Sequence, residues 1–176
     1  MSAPTRVVST VGPVLIIGSG LLGASLGLAL RAGGVRVYLE DASPTSLRLA
    51  SDVGAGVAFG DAIDEAGVAY ADAGTDAPGY EAPCIVVVAT PPDVADRVIV
   101  DSLLRFPGAI VTDVASVKDA VVADVLATLE ERGLEDAACR YVGSHPMAGR
   151  ERSGAGAADA DLFYGRPWVI VAHDTT

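Results

Sequence analysis

Near its start the chain runs Val14-Leu-Ile-Ile17, then Gly18-Ser-Gly20-Leu-Leu-Gly23, then an apolar helix-like segment to about Ala32. A short β-type run, a glycine-rich turn and a helix in that order leave few folds open. In a G-x-G-x-x-G turn the first glycine permits the tight bend and the second lets the backbone approach a pyrophosphate. The third lets helix and strand pack closely, and the phosphates rest on the helix N-terminal amides. The next strand-like run, Val35 to Leu39, ends at Glu40-Asp41, where a carboxylate accepts hydrogen bonds from an adenosine ribose. Asp41 is the better placed of the two. The segment 42–47 holds no Arg or Lys to receive a 2′-phosphate, so NAD is expected over NADP. Gly18, Ser19, Gly20, Leu21, Leu22, Gly23 and Asp41 are the expected contacts.

The rest of the chain repeats the strand-then-helix pattern. Ser43-Pro44 supplies an N-cap and a first-turn proline for a helix to about Val53. Residues 57–83 are acidic and rich in Ala, Gly, Asp and Pro, which predicts an irregular connection with one strand near Val68 to Tyr70. Cys84 to Ala89 is a continuous β-branched run, as expected of a strand buried on both faces. A helix from Asp93 to Leu104 follows, ended by Phe106-Pro-Gly108, then a strand at Ala109 to Asp113, a helix at Lys118 to Arg132 and a short strand at Arg140 to Gly143. Pro167 to Ala172 is a last strand-like run. Successive βα units imply an α/β fold with a doubly wound, mostly parallel sheet of the Rossmann type, in a single domain spanning 1–176.

Composition narrows the ligand classes. The chain has 176 residues, enough for one ordinary core, with 51% hydrophobic residues, which excludes a disordered protein. The formal charge is -11, which argues against nucleic acid and against an anionic membrane surface as partners, since both need a basic face. Val7 to Leu30 is free of charge and long enough to span a membrane. Pro13 and the glycines at 12, 18, 20, 23 and 27 break that run into pieces, which favours a soluble, cytoplasmic protein over a membrane span or signal peptide. Cys84 and Cys139 are far apart in sequence, read as reduced thiols, and belong to no metal-ligand cluster, so no metal is expected.

Ligands of open α/β sheets bind outside the carboxyl ends of the strands. Three segments follow later strands: Ala89-Thr-Pro-Pro92, Asp113-Val-Ala-Ser-Val-Lys118 and Gly143-Ser-His-Pro-Met-Ala-Gly149, all expected to reach one crevice. Ala89, Thr90 and Pro91 form a rigid turn against which a cofactor can lie. Ser116 reads either as the N-cap of the next helix or as a site contact in the cap region, because Asp119 stands three residues on. His145, expected in a loop, is the candidate general base, since a neutral imidazole takes a hydrogen bond or proton from a substrate hydroxyl. The other histidine, His173, reads as a chain-end residue, and Arg150-Glu-Arg152 alone reads as a solvated charge run.

Taken together, Gly143-Ser-His-Pro-Met-Ala-Gly-Arg-Glu-Arg-Ser-Gly154, Asp113 to Lys118, Ala89 to Pro92 and the glycine turn resemble the nucleotide-binding domain of the prephenate/arogenate dehydrogenase family. The resemblance covers nearly the whole chain, and His-Pro-Met-Ala-Gly is its most specific part. It implies an NAD(P)-dependent oxidative decarboxylation in tyrosine biosynthesis: hydride leaves C4 of a cyclohexadienol, the ring carboxylate departs as CO2, and aromatisation drives the step. His145 would then accept the hydrogen bond of the ring hydroxyl, and Ser116 would contact that hydroxyl and the histidine. Lys118 would help shape the cofactor side, and Glu151 would join an ionic network at the pocket mouth.

The same resemblance implies a following helical domain that forms a homodimer interface and supplies a basic clamp for the substrate carboxylates. The chain ends at Thr176, so it is expected to be the cofactor-binding part of a longer enzyme, the alternative being that another polypeptide carries the remaining half. Three other readings fit the residues: an arogenate dehydrogenase, another NAD(P)-dependent hydroxy-acid dehydrogenase, and a non-catalytic NAD-binding module.

Overall fold

The structure is a computed structural model and describes residues 10, 12–59, 81–149, 151 and 153–171. Among these residues seven strands form one sheet: β1 (Val14–Ile17), β2 (Val37–Glu40), β3 (Val57–Ala58), β4 (Ile85–Val88), β5 (Ile110–Asp113), β6 (Tyr141–Pro146) and β7 (Trp168–Val171). Their order is β3-β2-β1-β4-β5-β6-β7, with every pairing parallel except β6 with β7. Among the described residues four α-helices cover it: α1 (Leu21–Ala32), α2 (Pro44–Asp52), α3 (Pro92–Arg105) and α4 (Lys118–Glu131). The chain therefore has the expected doubly wound α/β architecture, and the strand order reverses between β1 and β4. That reversal opens a crevice at the carboxyl ends of the two strands.

The central strands are apolar throughout because helices cover both faces. On β1, Leu15 and Ile17 pack with Val86, Val88, Ile99, Leu103, Val111, Val125 and Tyr141, on the side of α3 and α4. Val14 and Ile16 point the other way and pack with Val37, Leu39, Val87, Ala24 and Ala50, on the side of α1 and α2. This alternation on two covered faces is why Val14 to Ile17 and Ile85 to Val88 read as continuous hydrophobic runs. It also accounts for the charge-free stretch through Leu30, which in its described part is a buried strand, a turn and a helix. Among the described residues no helix is long and apolar enough to cross a membrane.

Three sequence expectations change. The stretch expected to be irregular begins with the short edge strand β3, paired with β2, while the strand expected near Val68 to Tyr70 lies outside the described residues. The expected short strand ending at Gly143 runs on to Pro146, because β7 pairs antiparallel with it: Gly143 opposes Val171, Ser144 opposes Ile170, and His145 opposes Val169. His145 therefore stands on a strand and not in a loop. Finally, the residue capping α4 is Val117, with no side-chain cap bond, and Ser116 is exposed. The serine does not make the capping bond that its spacing from Asp119 suggested.

Candidate active site

At the end of β1 the chain turns sharply. Gly18 has φ of +102°, and a Cβ there would lie 2.5 Å from the Ala89 carbonyl oxygen of the neighbouring strand end. A Cβ at Gly23 would lie 1.9 Å from the Gly18 carbonyl oxygen, so only glycine lets α1 start this close to β1. Gly20 differs from both. It caps α1 without a side-chain bond, and a Cβ placed there meets nothing within 4 Å. The first-turn amides of α1 thus begin beside open space, the arrangement in which a helix N-terminus attracts an anion.

That space belongs to a cleft of about 1040 Å³. Of the residues expected to hold a cofactor, Gly18, Gly20, Leu21, Leu22, Asp41, Ala89, Thr90 and Pro91 line it. Ser19 is fully buried in the turn, and its amide donates to Asp41 Oδ2 at 2.5 Å. The Ser43 amide donates to Asp41 Oδ1 at 2.8 Å, so two backbone groups orient the carboxylate while each oxygen keeps a lone pair. The Ser19 and Thr90 hydroxyl oxygens are buried without a hydrogen-bond partner among the described residues. Buried polar groups are rarely left so. An open helix N-terminus, an oriented carboxylate and two unused hydroxyls together fit a nucleotide carrying phosphate and ribose.

Ser116, Lys118, His145 and Glu151 do not line this cleft. Ser116, Lys118 and His145 lie toward the β5–β6 side, where Ser116 and Lys118 border a smaller recess of about 460 Å³. Glu151 is exposed, and its neighbours Arg150 and Arg152, like His173, lie outside the described residues. His145 is half-buried, with Nδ1 3.4 Å from the Val114 carbonyl oxygen. A carbonyl only accepts, so this contact favours the proton on Nδ1 and leaves the Nε2 lone pair free. The ring is thereby tied to the loop after β5 that carries Ser116.

A buried polar cluster underlies that loop, and the sequence reading did not anticipate it. Asp113, fully buried at the end of β5, accepts from the Ala115 amide at 2.9 Å, from the Tyr141 hydroxyl at 2.8 Å and from the Lys118 ammonium. Its own carbonyl accepts from Ser144 Oγ at 2.6 Å, and Ser144 Oγ accepts in turn from Thr112 Oγ1 and Trp168 Nε1. Lys118 therefore points at Asp113, with its stem so close to Gly143 that a Cβ there would lie 2.9 Å from Lys118 Cδ. Burial pushes the Lys118 ammonium below the ordinary lysine range, and the hydrogen bond and charge of Asp113 oppose that shift. Burial, with the same carboxylate beside it, holds the Tyr141 phenol well above its ordinary range. The one sequence signal was an acid and a lysine five residues apart at the end of an apolar strand.

A family model described as the prephenate dehydrogenase nucleotide-binding domain matches residues 26–176. The chain belongs to that family. It is 40% identical over 157 residues to a probable prephenate dehydrogenase of Streptomyces niveus, covering 89% of this chain and 37% of the relative. Among solved structures it resembles prephenate dehydrogenase from A. aeolicus in complex with hydroxyphenyl propionate and NAD+, with a TM-score of 0.73 and 26% identity over 96% of this chain and 53% of that one. It also resembles a putative prephenate dehydrogenase from Corynebacterium glutamicum, with a TM-score of 0.63 and 32% identity over 90% of this chain and 44% of that one. The chain thus spans about half or less of the length of these relatives. The family match begins after the glycine turn.

Proposed function

We propose that this chain is the NAD-binding, histidine-bearing part of a prephenate dehydrogenase, and that the longer enzyme converts prephenate to 4-hydroxyphenylpyruvate in the tyrosine pathway. The observation that carries the reading is the unfilled space beside Gly20 at the α1 N-terminus, in a chain of this family. The A. aeolicus relative is described with NAD+ and a hydroxyphenyl compound, which supports both the cofactor and the substrate class.

NAD supplies a hydride acceptor when bound. Gly18, Gly20 and the first-turn amides of α1 would hold its pyrophosphate, with Ser19 and Thr90 offering their unpartnered hydroxyls. The Asp41 carboxylate would take ribose hydroxyls on its free lone pairs. Ala89, Thr90 and Pro91 would form the wall that directs the reactive end toward β5 and β6. His145 Nε2 would accept the proton of the substrate ring hydroxyl as the carbinol carbon is oxidised, with Ser116 hydrogen-bonding the same hydroxyl. Lys118 and Asp113 would keep the Ser116 loop in place, and Glu151 would act in an ionic network at the mouth. The basic clamp for the substrate carboxylates and the homodimer contacts would come from the remaining part of the enzyme, which we assign to the cytoplasm.

The test is His145→Asn in the full-length enzyme. Turnover of prephenate with NAD is expected to fall about 10²- to 10⁴-fold, the usual contribution of a positioned acid–base group. A fall of less than about tenfold would remove His145 from the role given to it.

A further inference from the structure

The ribose end of the cleft holds a cation that the local sequence conceals. Arg105, at the end of α3, lines the cleft beside Glu40, Asp41, Ala42 and Ser46. Its Nη1 lies 2.7 and 2.9 Å from the two Glu40 carboxylate oxygens. Its guanidinium carbon also lies 5.1 Å from the ring centroid of Phe59 and 4.9 Å from that of Phe106, and those two rings meet edge to face. The absence of a base from 42–47 therefore does not leave this end of the cleft without one. Its charge is matched by Glu40, while Asp41 and Asp101 add negative charge to the same lining.

Resting on the NAD reading above, we propose that Glu40 selects against a 2′-phosphorylated cofactor by keeping Arg105 occupied. A free guanidinium at this position would be a bidentate donor suited to a phosphate. The two phenylalanine rings hold it by stacking, so it stays beside the cleft when Glu40 loses its charge. The ion pair is 46% and 36% exposed at its two side chains, so it contributes little to folding and its removal is tolerated. Specificity thus resides in which partner the arginine has, across 65 residues of sequence.

The experiment is calorimetric binding of NAD and NADP to the wild-type chain, to Glu40→Gln and to the double variant Glu40→Gln/Arg105→Met, with Glu40→Ala as a second neutralising variant and thermal melting to confirm folding. Glu40→Gln is expected to raise the affinity for NADP relative to NAD by about ten- to a hundredfold, the range for a new hydrogen bond between charged groups. The double variant is expected to lose that gain. If neither neutralising variant gains NADP affinity, or if the double variant keeps the gain, the role given to Arg105 is overturned while the NAD reading stands. If the wild-type chain binds neither nucleotide, the NAD reading itself fails.

Discussion

The two halves of the sheet's carboxyl edge use polar groups in opposite ways. At the β1–β4 reversal the edge ends in backbone, Gly18, Gly20 and the first amides of α1, with buried hydroxyls on Ser19 and Thr90 that have no partner among the described residues. At the β5–β6 edge the polar side chains satisfy one another, with Asp113 accepting from Ala115, Lys118 and Tyr141, and Ser144 bridging to the Asp113 carbonyl. A surface built to take a ligand leaves donors and acceptors open, whereas a surface built to hold two segments in register spends them internally. The β5–β6 cluster joins the loop carrying Ser116 to the strand carrying His145. It would thus set the geometry of the two residues proposed for catalysis without itself lining the cleft beside α1.

The sharpest way to break this comparison is the pair of substitutions His145→Asn and Asp113→Ala. The first is expected to remove turnover of the full-length enzyme, as above, while changing unfolding free energy by no more than about 0.5 kcal/mol, since His145 is half-buried with one long contact. Asp113→Ala is expected to act first on stability, measured in the isolated chain. It leaves the Lys118 ammonium buried without its carboxylate, at a cost of about 3–5 kcal/mol by urea unfolding. Adding Lys118→Met should recover part of that loss, because replacing both members of a buried pair is far milder than removing one. A loss below about 1 kcal/mol for Asp113→Ala would mean that the cluster is no clamp.

A smaller effect follows from Tyr141. Its folded-state pKa is raised above the ordinary 10.0, so above pH 10 the unfolded chain releases this proton first and stability falls as pH rises. The stability that wild type holds over Tyr141→Phe should therefore be full below pH 10 and shrink by about 1.4 kcal/mol at pH 11. Urea titrations of both proteins at pH 8 and 11 measure it. A constant gap would mean that Tyr141 ionises as readily folded as unfolded.

What could be read from sequence divides along the same line. The cleft side is local: strand, turn and helix are contiguous from Val14 to Ala32, and each glycine's place follows from its spacing. Asp41 was found because it directly follows the strand that pairs with β1. The β5–β6 side is non-local. The extension of β6 through His145 depends on an antiparallel partner that begins at Trp168, and no periodicity within Gly143 to Gly149 encodes that pairing. Tyr141 reaches Asp113 across 28 residues, and Arg105 reaches Glu40 across 65. Lys118 could be noticed as a charged residue but not aimed, because its direction is set by the buried end of β5. The motifs thus mark the candidate residues, while the contacts that orient them are tertiary.

The central claim is that the glycine-turn cleft takes a dinucleotide on the N-terminus of α1, and calorimetric titration of NAD into the wild-type chain and into Gly20→Val tests it most directly. Saturable binding of one NAD per chain is expected. Gly20→Val is expected to weaken it by at least about tenfold, because its side chain would fill the space beside the helix N-terminus while leaving the melting temperature near that of wild type. Absence of a binding signal with wild-type protein at millimolar NAD, or equal affinity in a folded Gly20→Val variant, would contradict it.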